Sequence, residues 1–157
     1  MIDAPAKPLD DIAARLEAII ASSDSALVAS APSLADELLA LGEVILEHWL
    51  SARGVAPTTR VVEGFRLLAL HRQGARGDAS FNACRETCRE LVYHRNLVRL
   101  DPAHVDTARR LRLGAMVAKH LLLFIGGKLE VAEIGEFCCS ARPLRQHETN
   151  TQSAEIA

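Results

Sequence analysis

Leu9, Ile12, Leu16 and Ile19 recur every three to four residues. That is the spacing of one face of an α-helix, and it predicts a helix from Pro8 to about Ser22. The run SSDSALVASAPS is small and polar and reads as a linker. Leu34, Leu38, Leu41, Ile45 and Trp49 then set a second stripe. Ser33 is placed to cap this helix with Asp36 three residues on, and Gly54 and Pro57 stop it after Arg53. A third helix is expected from Thr58 or Thr59 to Gln73, followed by a turn at GARGD. A fourth opens at Asp78 or Ser80 and ends near Leu100. Asp101-Pro102 reads as an N-cap with proline at the first helical position. The fifth helix it starts would run to Ile125 and close at Gly126-Gly127. A short sixth helix is expected over residues 128–140, and the polar, aperiodic residues 141–157 read as a disordered tail.

Five to six helices with short connections predict an all-α fold, an antiparallel helical bundle. Residues 1–30 form an N-terminal helix and linker in this scheme, and residues 31–140 form the bundle. Composition agrees. Hydrophobic residues make up 49 % of the 157-residue chain, largely Ala and Leu, and aromatics only 4 %. Strands favour β-branched and aromatic residues, whereas Ala and Leu favour helix. No apolar run approaches the roughly 18 residues of a membrane span. The start MIDAPAKPLDD lacks the basic and apolar regions of a secretory signal. A cytoplasmic protein with no membrane association is expected.

Charge is segregated along the chain. Residues 1–51 carry nine acids and two bases, residues 52–128 fourteen bases and six acids, and residues 129–157 five acids and two bases. A basic centre between acidic ends signals either an anionic partner or pairing of the segments with one another. Fifteen of the eighteen bases are Arg, which suits bidentate pairing.

The chemistry concentrates in ACRETCRELVYHRNLVRL, Ala83 to Leu100. On a helical wheel Phe81, Cys84, Cys88, Leu91 and Val92 share one face, a core stripe that includes two thiols. Cys138 and Cys139 are the other two cysteines, and neither pair has the Cys-x-x-Cys spacing of zinc or redox motifs. The wheel separates Cys84 and Cys88 from His94, so a thiol–imidazole dyad would need a different histidine. Arg95 projects from the apolar stripe and must reach solvent or a carboxylate. Glu90 and His94 are neighbours at i, i+4. With His48 and His71 on preceding helices they compose a candidate site for a divalent metal, zinc or iron. Arg109, Arg112 and Lys119 make a basic stripe on the fifth helix, opposable to Glu130, Glu133 and Glu136. Together with Arg95 they are the candidate anion- or partner-binding residues.

Three functional readings follow. The first is a small accessory or regulatory protein acting through a protein partner or as a homo-oligomer, with no cofactor. The second is a metal-dependent enzyme or sensor using His48, His71, His94 and Glu90. The third is a DNA-binding regulator using the Arg-rich fourth helix. A pI near 6.3 and the lack of aromatic platforms weigh against nucleic acid. No Gly-x-Ser-x-Gly elbow or phosphate-binding glycine loop is present.

Overall fold

A computed structural model describes residues 2–134. It is all-α, as the periodicity predicts. The helices are α1 (Leu9–Ala21), α2 (Asp24–Ala29), α3 (Ala31–Ala52), α4 (Arg66–Ala75), α5 (Arg85–Leu100) and α6 (Thr107–Ala132), with a 3₁₀ helix at Ala79–Cys84 before α5. Among the described residues no helix is long and apolar enough to cross a membrane.

Side-chain pairings fix the directions of the four long helices. Arg15 pairs with Glu37, and His48 meets the Lys7 carbonyl, so α1 and α3 are antiparallel. Asp36 pairs with Arg99, while Leu91 seats on Gly42, so α3 and α5 are antiparallel. Leu38 meets Gly114 and Lys128 lies over Trp49, so α3 and α6 run parallel. The four apolar stripes merge in one core that includes Leu16, Ile45, Leu91, Leu111 and Leu121. The N-terminal helix belongs to it: Leu9, Ile12, Leu16 and Ile19 are all buried. Close approach needs a bare backbone at Gly42, where a Cβ would fall 2.6 Å from Leu91 Cδ2.

The elements differ from expectation in several places; Ser33, for example, lies inside α3, whose N-cap is Ser30. The linker contains α2, capped by Ser23 Oγ accepting from the Ala26 N–H at 3.2 Å and anchored by buried Leu27. The third predicted helix starts eight residues late. Glu63 and Gly64 both take positive φ, and Val62 and Phe65 pair across that turn. Gln73 clamps the segment, accepting from the Thr58 N–H at 2.9 Å and donating to the Ala56 carbonyl at 2.8 Å. Asp101-Pro102 opens a turn instead of a helix: the His104 N–H donates to the Asp101 carbonyl at 3.2 Å, and α6 begins at Thr107. Gly126 and Gly127 do not stop α6. Both are buried inside it, and tertiary packing overrides their poor helix propensity. The helix ends where Glu133 turns left-handed at φ 55°. Of the predicted sixth helix, residues 128–132 belong to α6, and residues 135–140, like the predicted tail, lie outside the described residues.

Candidate functional site

The four predicted metal ligands do not converge. His48 Nε2 lies 2.8 Å from the Lys7 carbonyl oxygen, and His71 Nε2 lies 3.0 Å from that of Phe81. His94 lines a separate cleft with Arg95, Arg110 and apolar groups of α3, α5 and α6, and Glu90 is exposed. Among the described residues no group of three or more His, Cys, Asp or Glu side chains is arranged to hold a metal ion.

The predicted cations are mostly engaged within the fold. Arg95 Nε lies 3.2 Å from Asp36 Oδ1, and Arg99 Nη1 lies 2.8 Å from Asp36 Oδ2. The guanidinium of Arg95 also rests over the Phe65 ring. Arg112 binds Asp24 and the Ser22 carbonyl, and Lys119 binds Glu17. The basic stripe of α6 therefore meets α1 and α2, not the Glu130, Glu133 and Glu136 series expected from the sequence. Glu130 and Glu133 lie at the far end of α6, and Glu136 is outside the described residues. Arg109 is exposed on α6. Glu43 and Glu47 hold Arg66 of α4, at 3.4 and 2.5 Å. Much of the segregated charge is thus neutralised by segments of the chain pairing with one another.

A different constellation stands out where α4 faces the start of α5. Val62, Leu68, His71, Arg72, Ala75, Asn82, Arg85 and Arg89 line a cavity of about 190 Å³. Leu68, His71, Arg72 and Ala75 lie along one side of α4, and Arg85 and Arg89 are one turn apart on α5. Arg89 pairs with Glu63 at 3.0 Å. Arg72 and Arg85 form no ion pair among the described residues. Three guanidiniums and an imidazole therefore meet with one carboxylate between them. A water's share of liquid volume is about 30 Å³, whereas drug-sized ligands need roughly 300 Å³ or more. The cavity suits a phosphate, a carboxylate or a small acid, and its donors match such groups.

Its inner wall carries a second layer. Phe81, fully buried, packs on His71 with ring centroids 5.3 Å apart, and on Trp49 and Phe124. Lys128 of α6 reaches Asp78 at 2.9 Å and Ser80 at 2.9 Å, pinning the 3₁₀ helix to α6. Cys84 and Cys88, both buried, stand behind His71. A hydrogen bond from Cys88, and next the His71 imidazole, bring the Cys84 thiol from 9.0 down to about 6 against the opposing effect of burial. Cys88 moves up, because it is the donor of that bond and is itself buried. Burial pushes His71 down, but its bonds to Cys84 and to the Phe81 carbonyl outweigh this and leave it raised.

Of the cavity residues only His71 is among the sequence-derived candidates. The Arg85/Arg89 spacing of four marks a shared flank, but placing Arg72 opposite them requires the turn between α4 and α5. Neither a scan against protein-family models nor searches of curated proteins and of solved structures finds a match to this chain.

Proposed function

We propose that this is a binding protein whose α4/α5 cavity accepts an anionic group. The observation that carries the reading is the convergence of Arg72, Arg85, Arg89 and His71 on one open space, with Glu63 opposing only Arg89. Two unmatched guanidiniums beside an imidazole favour a small oxyanion, or the carboxylate of a larger ligand. No group placed there suggests turnover of that ligand. The test is an NMR titration with inorganic phosphate. Saturable shifts confined to Arg72, Arg85, Arg89 and His71, and lost in Arg85→Gln, are expected. Equal shifts at Arg60 and Arg76, which are exposed elsewhere on the surface, would reduce the cavity to general counterion attraction.

A second reading, association with a protein partner or a second copy, draws on the outer face of α6. Met116 and Leu123, seven residues apart on one side, are 54 % and 46 % exposed. Apolar side chains at that spacing form a stripe fit to pack on another helix. Light scattering of the purified chain tests it: a multiple of the chain mass that falls to one chain in Met116→Glu/Leu123→Glu supports association, and a monomer at high concentration removes it.

A further inference from the structure

The α4/α5 cavity has two kinds of wall. Arg72, Arg85 and Arg89 bring cations to it, and Val62, Leu68 and Ala75 bring aliphatic surface to the same space. Leu68 lies four residues before Arg72 on α4 and Ala75 three residues after, so apolar groups flank that guanidinium on one side of the helix. Val62 comes from the extended run before α4, where its backbone pairs with that of Phe65. The lining holds no hydroxyl and no carboxylate. Its uncharged polar groups are Asn82 and His71, and His71 Nε2 already bonds to the Phe81 carbonyl. A sugar or a nucleotide would bring several hydroxyls that lose water here and gain few partners.

The choice of anion narrows in the same way. Phosphate sites commonly draw on backbone N–H groups at a helix N-terminus. Here α5 continues a 3₁₀ helix, and the Arg85 N–H at its start donates to the Asn82 carbonyl. The remaining cations are side-chain guanidiniums, whose planar fork matches a carboxylate. The chain itself displays that match, with Glu63 Oε2 3.0 Å from Arg89 Nη2. Volume adds a third constraint. A space of about 190 Å³ equals about six water volumes, more than a bare oxyanion fills, and an apolar cavity of roughly 150 Å³ accommodates benzene.

Resting on the anion reading of this cavity, we infer that its ligand is a small carboxylic acid with a compact apolar body the size of one ring. The carboxylate pairs with Arg72 and Arg85, the two guanidiniums that no carboxylate of the described chain engages. The body lies on Val62, Leu68 and Ala75, which set the specificity while the guanidiniums set the charge. A bare oxyanion leaves this aliphatic surface wet, and a fused-ring acid exceeds the space.

The test is a methyl-NMR titration of the full chain with four probes: benzoate, acetate, inorganic phosphate and benzamide. Benzoate should bind about tenfold or more tighter than acetate or phosphate, because it alone among these anions buries an apolar group of side-chain size. Benzamide keeps the ring and lacks the charge, and should bind about tenfold weaker than benzoate. Ring-current shifts should appear at the methyls of Val62, Leu68 and Ala75. In Val62→Ser the advantage of benzoate over acetate should shrink, and in Arg72→Gln/Arg85→Gln benzoate should fall to the level of benzamide. Saturable binding of phosphate and acetate at the affinity of benzoate overturns the inference and leaves the anion reading standing. Equal binding of benzoate and benzamide, or no saturable binding of any probe, overturns both. Ring-current shifts that miss Val62, Leu68 and Ala75 overturn the inference alone. Should Val62→Ser not fold, the four probes on the wild-type chain decide.

Discussion

Two clefts of this bundle each set a histidine beside arginines, and their fates differ. Between α4 and α5, His71 with Arg72, Arg85 and Arg89 surrounds about 190 Å³ of space. Between α3, α5 and α6, His94 with Arg95 and Arg110 is closed over by Ala35, Leu38, Leu91, Val98 and Leu111 and leaves no water-sized space. In the closed cleft Arg95 is held by Asp36. In the open one Arg72 and Arg85 have no carboxylate among the described residues. The residue types are the same. What separates a binding cleft from a packed one is unfilled volume and unmatched charge, and both are decided by which helices meet there. The bare backbone of Gly114 lets Leu38 and His94 close the second cleft, whereas nothing bridges the gap between Arg72 and Arg85.

The largest effect should come from removing the wall behind the open cleft. Phe81 is fully buried and touches His71, Trp49 and Phe124. Phe81→Ala should destabilise the fold by about 3–5 kcal/mol, seen as a lower urea midpoint. A loss under about 1 kcal/mol would show that the ring stack does not support the cavity. Next comes an exchange between clefts. Arg72→Gln/Arg85→Gln should weaken phosphate binding by roughly tenfold or more, given about 1.5–3 kcal/mol per hydrogen bond to a charged group, and leave the urea midpoint nearly unchanged. Arg95→Gln should leave phosphate binding intact. Equal affinity losses in the two variants would erase the distinction between the clefts. A smaller effect is expected at Asp36, which binds both Arg95 and Arg99 and is itself about half exposed. Asp36→Asn should cost about 0.5–1 kcal/mol at low ionic strength and less in high salt, because exposed ion pairs are weak and screened.

The contrast also explains how much the sequence alone could reveal. Stripes such as Leu34, Leu38, Leu41, Ile45 and Trp49 are long enough for helical period to show, and those helices were legible. The six residues of α2 are too few to carry a period, and a single buried leucine, Leu27, anchors them. The extended run before α4 was hidden because Thr58 resembles a cap, while the turn at Glu63-Gly64 breaks the helix after it. At Gly126-Gly127 local propensity and tertiary burial conflict, and burial prevails. For the site, a wheel places Arg95 on an apolar stripe and predicts that it must reach solvent or a carboxylate, but that the carboxylate is Asp36 depends on α3 lying against α5. The same holds for Cys84. That His94 of its own helix lies on another flank was legible, and its approach to His71 depends on the turn between α4 and α5.

The two histidines supply the finest test, because their environments push them in opposite directions. Burial holds His94 below its ordinary value of 6.5; Glu90 opposes the effect and Arg110 reinforces it. Its Nδ1 is buried without a hydrogen-bond partner among the described residues. As pH falls through 6.5 the unfolded chain binds a proton at His94 that the folded chain refuses. Stability should therefore decline from about pH 6.5 downward, until the folded ring is protonated as well. His71 is raised, so its contribution is present at low pH and is lost as pH rises through its folded value. His94→Leu places an apolar side chain against Leu38, Leu91 and Leu111. The variant should lose the acid-side decline, and at pH 7.5 it should be at least as stable as wild type, since it removes a buried polar group with no partner. His71→Gln should change the pH dependence with the opposite sign. Urea midpoints of the three proteins at pH 5.5 and 7.5 measure both. If the difference between His94→Leu and wild type is the same at the two pH values, His94 is not held neutral, and the closed cleft is wetter than its packing implies.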